Sequence, residues 1–459
     1  MSNTTGVSSL HADVAVVGAG PTGSAAALAF ARRGARVALI DGHPEAARRF
    51  AGEWIHPPGV RTLAALGVAT ESLASAVGHG FALFGDDGND PVCLPYASGS
   101  SVARVHHEIV AALREHACAA PGVTYLPYHV FSALEGNTLR LDDRKRGRSI
   151  ELTADRVIGA DGRSSKVRDC LGAPSDSQLL SYMAGVELHD VELPFEGMGH
   201  VFVGGPGPAL VYRIDAGRAR ACLDVPHATP TNGRRGDALY RAFSGAFPAQ
   251  LRAALGRALE GRVAWASTRY RPRNFHGRGH VWLAGDAIGH LHPLSGVGLT
   301  LGVMDAVAAA EAPDLASYRR NSASHVVELL SNVLYLAFAR HDESAIRIRH
   351  GLLRMLRAEP LERRRTIRLL AGEDRAATSF ASSFLRATGR VVVAGLEKTA
   401  TRRQTLGEWS RHLRQDAAWL KWPLDACVPP AGSLRRVAAP QASFREVIAS
   451  TARTLRAPS

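Results

Sequence analysis

The feature that most constrains this chain is Gly18-Ala19-Gly20-Pro21-Thr22-Gly23, set between an apolar run and an Ala-rich stretch. Asp13 to Gly18 (DVAVVG) reads as a buried parallel strand. Ser24 to Arg33 favours helix, Gly34 ends it, and Arg36 to Ile40 (RVALI) reads as the next strand. Gly18 permits a tight turn, Gly20 lets the backbone approach a pyrophosphate, and Gly23 lets the helix pack on the strand. Pro21 and Thr22 complete the loop, and the helix N-terminus offers unpaired N–H groups and a positive dipole end to phosphate. Asp41 closes the second strand, 21 residues after Gly20, where a carboxylate suits the adenosine ribose hydroxyls. Strand, helix, strand and terminal acid in this order predict a dinucleotide site. They do not separate FAD from NAD.

The rest of the chain adds elements in a recognisable order. Residues 101–118 read as a helix, with Ile109 and Leu113 four apart, and Arg156 to Ala160 and Val281 to Ala284 read as further apolar strands. Between about 176 and 272, short alternating segments separated by Gly and Pro predict an antiparallel sheet. From about 300 to 422 the pattern is helical, and the remainder is Pro-rich. No run of about 18 uncharged apolar residues predicts a spanning helix, and the polar stretch Met1 to His11 does not read as a secretory leader. Five scattered cysteines without a Cys-x-x-Cys pair predict a reduced, cytoplasmic protein with no zinc site. His290 and His292 lie inside a glycine-bearing motif and do not read as metal ligands; no metal is expected. His106 and His107 are adjacent on a predicted helix and do not share a face.

Two further motifs decide the cofactor. Val157-Ile158-Gly159-Ala160-Asp161-Gly162-Arg163-Ser164 leads to Val167-Arg168, and Gly279-His280-Val281-Trp282-Leu283-Ala284-Gly285-Asp286-Ala287 continues through Pro293 to Gly296-Val297-Gly298-Leu299. With all three motifs in order, the chain resembles the class A flavoprotein monooxygenases, the p-hydroxybenzoate hydroxylase-like fold, over roughly residues 11–340. Arg49-Phe50-Ala51-Gly52-Glu53-Trp54-Ile55-His56-Pro57 with Gly59, the segment from Gly199 to Asp224-Val225, and His292-Pro293-Leu294-Ser295-Gly296 resemble the squalene monooxygenase branch. The branch usually has Gln where His56 stands and Tyr where Phe81 stands. We read no counterpart of its membrane anchors, so squalene is not carried over as substrate.

The resemblance implies an α/β fold: a Rossmann-type FAD-binding domain interleaved with an antiparallel-sheet substrate domain, plus a helical C-terminal region. The expected division is 11–75, 101–175 and 273–325 for FAD, 76–100 and 176–272 for substrate, 326–425 for the helical region and 426–459 for a weakly structured tail. It implies non-covalent FAD held by Gly18, Gly20, Pro21, Thr22, Gly23, Asp41, Arg49, Arg114, Asp161, Gly285, Asp286, Pro293, Gly296, Gly298 and Leu299, with Arg168 nearby. Pro293 would border the flavin face where oxygen reacts, and His56 and Phe81 would lie at the substrate side. The implied activity is epoxidation or hydroxylation of an apolar unsaturated or aromatic molecule through a flavin C4a-(hydro)peroxide, with NAD(P)H or a reductase partner as electron source. The rivals are a double-bond reductase of the geranylgeranyl type, a flavin-dependent halogenase and a non-catalytic flavin- or lipid-binding protein. A halogenase would use an active-site lysine and a Trp-x-Trp-x-Ile-Pro motif. Neither appears: no lysine precedes Lys145, and Trp54 stands alone.

Charge is uneven along the chain. Residues 340–459 hold 23 Lys and Arg against 11 Asp and Glu, nearly all of the net +13. Trp409, Leu413, Ala417 and Leu420 recur at helical spacing with Arg411, Arg414 and Lys421 around them, the pattern of a basic amphipathic helix. Three readings stand: contact with an anionic membrane face, docking of an acidic carrier protein, or a helical cap packed on the FAD domain. No nucleic-acid motif appears.

Overall fold

The computed structural model describes residues 9–427 apart from 46–48, 174–176, 323 and 402. Its first sheet has eight strands. Five run parallel in the order Val281–Leu283, Arg148–Gly159, Ser9–Val17, Val37–Asp41 and Val123–Pro127. The central strand is apolar without alternation because both faces are covered: Val14, Val16 and Val17 are all buried. Helix Pro21–Ala31 packs on one face, and helix Gly298–Glu311 lies against it. Thr138–Asp143 and His129–Glu135 extend the sheet as an antiparallel hairpin on Arg148–Gly159.

The second sheet has seven strands, ordered Ala264–Tyr270, Gln178–His189, Arg218–Pro226, Ala209–Arg213, Met198–Phe202, Gly80–Phe84 and Val92–Pro95. It departs from the expected antiparallel sheet at one pair, since Met198–Phe202 runs parallel to Gly80–Phe84. Residues 76–100 are not adjacent in sequence to the rest, so they join through a crossover rather than a hairpin. Its alternation sorts two faces. Ala209, Val211, Ala221, Leu223 and Phe202 pack under helices Gly236–Phe243 and Ala249–Glu260, two elements hidden in a stretch read only as sheet. Leu210, Tyr212, Cys222, Phe81, Leu83 and Val201 face the other way, toward helices His325–Ala339, Glu343–Ala358, Pro360–Leu370 and Ala377–Ala400.

Between the sheets lies a three-stranded piece, Trp54–Ile55, Ser101–Ala103 and Ala76–Gly78. Its presence corrects the helix expected over 101–118: pairing holds Ser101–Ala103 extended, and the helix runs His106–Ala119. The helical pattern after 300 ends in Leu406–Cys427. The expected weakly structured tail falls outside the described residues from 428 onward.

One buried charge organises the junction of these parts. Arg273, 7% exposed, donates from Nη2 to Asp305 Oδ2 at 2.6 Å, from Nη1 to the carbonyls of Gly285 and Gly289, and from Nε to Ser324 Oγ. Asp305 also accepts the Gly285 N–H at 3.0 Å. Removing one partner leaves the other charged and desolvated. Arg273→Met is therefore expected to lower stability by about 3–5 kcal/mol, read as a lower urea midpoint; a midpoint equal to the parent's would show that the pair carries no such weight.

Candidate cofactor and substrate site

Parallel register puts the three motifs at one edge. Val17 pairs with both Ile40 and Gly159, and Gly159 pairs with Leu283. The next residues are Gly18, Asp41, Ala160-Asp161 and Ala284-Gly285, so every motif loop leaves the same carboxyl edge of the sheet, where ligands of such folds bind. The loops touch. A Cβ on Gly18, whose φ is +102°, would lie 2.6 Å from the Ala160 carbonyl oxygen, and one on Gly23 would lie 1.7 Å from the Gly18 carbonyl oxygen. Thr22 fills the space beside Gly285 and Gly302. Around Gly20, by contrast, nothing lies within 4 Å of where a Cβ would stand, and no side chain caps the helix that follows.

Several buried polar atoms near this edge lack partners within the chain: Asp161 Oδ1, Arg168 Nε, His106 Nε2 and both ring nitrogens of His290. They are not scattered. The carboxylate of Asp286 acts electrostatically on both His106 and His290, and Arg49 acts on His106. Such groups call for a polar partner, and a dinucleotide with ribityl hydroxyls and a pyrophosphate has the matching chemistry. Asp286 is partly exposed and meets Arg163 at 3.3 Å. Asp161 accepts N–H bonds from Lys166 and Val167 with its other oxygen, and burial pushes its carboxyl up. Arg168 is buried, not a surface cation, and donates to the carbonyls of Ala287 and Arg163.

At the far end of the edge, Asp41 and Arg114 meet each other at 2.8 Å, and Tyr125 donates its hydroxyl to the same Asp41 oxygen. Asp41, expected at the adenosine ribose, and Arg114, expected as an FAD contact through phosphate, thus come together, already paired. Arg49 is exposed.

The other end is the turn His292 to Val297 and the start of helix Gly298–Glu311. Pro293 and Gly298 are exposed, Gly296 and Leu299 half-buried, and Leu294 and Ser295 buried. Two buried histidines grip this turn. His292 accepts the Leu294 N–H at Nδ1, so its Nε2 faces Asp224 Oδ1 at 3.3 Å as donor, and Ser181 donates to the same oxygen. Its ring stacks on Tyr335 with centroids 4.0 Å apart. His56 meets the Ser295 carbonyl through Nε2 at 2.9 Å, and its backbone N–H donates to Thr300 Oγ1.

Beyond the turn the surroundings become apolar. Leu294 joins Trp54, Phe81, Leu83, Met183, Leu210, Leu329 and Val333 in one buried cluster. Phe81 packs on Trp54 and His56, with ring centroids 5.3 and 5.8 Å away. Of the three residues assigned to catalysis, Pro293 alone is exposed, while His56 and Phe81 are buried behind the turn. The hydroxyl beside His56 comes from Tyr96, at 2.7 Å. Under the cluster, Glu53 receives Arg220 at both oxygens (2.8 and 2.9 Å) and the Tyr212 hydroxyl at 3.1 Å, tying the segment after Arg49 to the second sheet. Reading by sequence missed Tyr96, Thr300 and the Arg273–Asp305 pair, and named His106 without giving it a place at the site. A fixed offset from a glycine motif marks none of them, and Tyr96 lay in the stretch 76–100, assigned to the substrate side with Phe81 as its one named site residue. Among the described residues no group of His, Cys, Asp and Glu is arranged to hold a metal.

Five buried histidines carry a pH dependence. Burial lowers His56, His106, His200 and His290 to about 4 and His276 to about 3, against an ordinary value of 6.5. The unfolded chain therefore binds more protons between about pH 6.5 and 4. Stability should be full above about pH 7 and fall as the pH drops through that window, by on the order of 1–2 kcal/mol per histidine at pH 5. Urea midpoints at pH 7 and pH 5 check this, and equal midpoints would show that these imidazoles are not held neutral.

The chain matches the family model described as an FAD binding domain over residues 11–326. It is 26% identical to the squalene monooxygenase of Mus musculus over 367 residues, 73% of this chain and 64% of that enzyme. It is 28% identical to the squalene epoxidase erg1 of Aspergillus fumigatus over 386 residues, 75% of this chain and 79% of the other. The chain thus spans less than two-thirds of the mouse enzyme's length. In three dimensions it resembles PqsL of P. aeruginosa, crystallised with 2-aminobenzoylacetate, at a TM-score of 0.61 and 22% identity, over 82% of this chain and 99% of that one, a likeness of fold. With three glycine-bearing loops meeting at one sheet edge and the family model covering most of the chain, the protein belongs to the FAD binding domain family.

Proposed function

We propose that the protein is an FAD-dependent monooxygenase that epoxidises or hydroxylates an apolar unsaturated or aromatic small molecule. One juxtaposition carries this reading: the turn from His292 to Val297 has the polar carboxyl edge of the first sheet on one side and the apolar cluster around Phe81, Met183 and Leu210 on the other. Likeness to squalene monooxygenases and epoxidases supports it.

In this reading Gly18, Gly20, Pro21, Thr22 and Gly23 bring backbone N–H groups to the pyrophosphate. Asp41 with Arg114 serves the adenosine half, and Arg49 the phosphates. Asp161, Gly285 and Asp286 take the ribityl hydroxyls, and Pro293, Gly296, Gly298 and Leu299 border the ring system, held non-covalently. As a working division, residues 11–75, 101–175 and 273–325 bind FAD, 76–100 and 176–272 shape the substrate side, and 326–425 close it. FAD, reduced by NAD(P)H or by a reductase, supplies the electrons with which one atom of dioxygen enters the substrate and the other leaves as water. The chain's part is exclusion and orientation. Phe81, Leu210 and Leu294 keep water from the reacting centre, and each square ångström of apolar substrate they cover contributes about 25 cal/mol. Oxygen transfer to a carbon–carbon double bond needs no strong protein base, which agrees with an apolar cluster lacking an exposed acid–base pair. Lys145, Lys166 and Lys398 are exposed, and none joins the buried apolar cluster around Phe81. A double-bond reductase would turn over its substrate without oxygen. Oxygenated product formed under air and lost under anaerobic conditions is expected, measured by mass spectrometry across apolar candidates with 18O2; conversion that persists without oxygen would overturn the reading.

FAD retention tests the site. Asp286→Ala should weaken binding by roughly 1–3 kcal/mol, since a buried hydroxyl loses its acceptor, and Gly20→Val should place a side chain where the pyrophosphate passes. Full yellow occupancy of either variant after dilution would show that the cofactor lies elsewhere.

The surroundings of the C-terminal helices favour peripheral contact with a membrane over the other expected partners. The apolar stripe of Leu406–Cys427 begins with Trp409, which turns inward onto Gly395, while Asp416 pairs with Arg347. That end therefore acts as a cap. The exposed apolar surface lies instead on Ala377–Ala400, where Leu385, Gly389, Val393, Leu396 and Ala400 share one face, with Leu406 (68% exposed) at its end. Among the described residues no single helix is long and apolar enough to cross a membrane. Contact would be in the interface plane, on the cytoplasmic face, with Lys398, Arg403, Arg411 and Arg414 toward anionic lipid. Charging the apolar face tests this directly: Val393→Asp with Leu396→Asp should abolish flotation with anionic liposomes, while undiminished flotation would leave this face without a role. Capture of the parent by an acidic carrier protein instead of vesicles would favour the carrier.

A further inference from the structure

The exposed start of helix Gly298–Glu311 is held from behind by His56, beside the hold of His292 on Leu294 and of Ser331 on Ser295. His56 is fully buried and reaches both sides of the segment Ser295 to Thr300. Its Nε2 lies 2.9 Å from the Ser295 carbonyl oxygen, and its backbone N–H donates to Thr300 Oγ1 at 2.9 Å. The same stretch is moulded closely against its neighbours. A Cβ on Gly59 would stand 3.1 Å from Thr300, and one on Gly52 would stand 3.4 Å from Leu299.

A carbonyl oxygen only accepts, so His56 Nε2 carries the proton and Nδ1 is left with a lone pair. Tyr96 fills it, with its hydroxyl 2.7 Å from Nδ1, while Trp54 Nε1–H donates to the Tyr96 oxygen at 3.1 Å. The chain of donors is thereby complete in one direction: Trp54 to Tyr96, Tyr96 to His56, His56 to the Ser295 carbonyl. The opposite tautomer would set two lone pairs face to face at Ser295, and at Tyr96 two donors face to face unless the hydroxyl turned toward Ser101. All members sit in an apolar setting, where such bonds are strong and an unmade one is costly.

We propose that His56 is the positioning residue of this helix start, and that Tyr96 locks its tautomer, so that the backbone N–H groups at Gly298 and Leu299 stay aimed at the flavin edge. The inference rests on the FAD site proposed above. Reduced flavin gathers negative charge at the edge that a helix N-terminus favours, so a loosened terminus costs the reduced form more than the oxidised one.

Two measurements test it. In the first, the protein with 15N-labelled histidine is studied by NMR with and without FAD. His56 should show the Nε2–H tautomer without titrating above about pH 5, and its Nδ1 resonance should move in Tyr96→Phe. An Nδ1–H tautomer in the parent would overturn the proposal whatever the cofactor does. In the second, the reduction potential of bound FAD is compared between variants. His56→Phe should lose tenfold in its preference for reduced over oxidised FAD, which is about 30 mV for a two-electron couple, and Tyr96→Phe should shift in the same direction by less. His56→Gln, whose amide can still donate to Ser295, should return toward the parent value. Phe247→Leu, in the core on the other face of the second sheet, should lower the melting temperature and leave the potential alone. If His56→Phe does not fold, Tyr96→Phe removes a single oxygen and carries the test. Variants of His56 and Tyr96 that lose stability but keep the parent potential would show a structural role only and overturn the proposal. A parent protein that takes up no FAD would overturn the proposed function itself, a result distinct from an unshifted potential.

Discussion

Everything in this molecule that resembles a site depends on the shared register of parallel strands. Because Val17 is flanked by Ile40 and Gly159, and Gly159 by Leu283, three loops separated by more than a hundred residues of sequence end on one line. A shift of one residue in any pair would exchange side chains between the two covered faces and carry its loop away from the others. The glycines then let the loops close on one another at backbone distance. This explains why small residues gather where the strands end, and why side-chain chemistry begins only with Asp41, Asp161 and Asp286.

Register alone cannot hold the second sheet against the first, and buried ion pairs do that. Glu53 and Arg220 join the segment before Trp54–Ile55 to the second sheet, and Arg273 and Asp305 join the loop at Gly285 to two helices. Hydrophobic groups of equal volume could supply as much stability, since burying two charges costs several kcal/mol each before their attraction offsets it. What an ion pair adds is direction. A guanidinium with donors at fixed angles accepts one placement of its carboxylate, and Arg273 extends that to two carbonyls of the Gly285 loop. The apolar cluster around Phe81 slides against nothing because its rim is fixed at these points.

Much of this was legible in the sequence, for a reason visible at particular residues. Strand, glycine loop and helix are local, so Gly18 to Gly23 declares itself, and the Asp161 and Asp286 loops follow from their apolar leads. Pairings between distant segments leave no such trace. Ser101–Ala103 has the composition of a helix start and becomes a strand because Trp54–Ile55 and Ala76–Gly78 lie on either side of it. Tyr96 gains its meaning only when folding brings it to His56, forty residues away. The two helices at 236–243 and 249–260 have ordinary helical spacing at Leu251, Leu255 and Leu259, but short Gly- and Pro-bounded segments around them outweighed it. The helix-period signal was present and the sheet-period signal was read over it.

The uneven charge of the chain also changes meaning once folded. Read along the sequence, the basic C-terminal quarter looks like a surface device. In the structure two of its arginines turn inward on the acidic loop that follows Gly80–Phe84. Arg349, 1% exposed, reaches Asp86 and the carbonyls of Ala337 and Arg340, and Arg357 grips Asp87 with two nitrogens. Against the opposing effect of burial, His350 and Arg349 hold the Asp86 carboxyl well below the usual carboxylate range. Further along, Glu359 receives Arg386 and Arg390, and Asp416 receives Arg347. A buried arginine without its acid would be far costlier than an exposed one, so the acids of the second sheet and the arginines of the helices have to be read together. The sign of a segment's net charge says which partner it needs, and here much of that need is met inside the same chain.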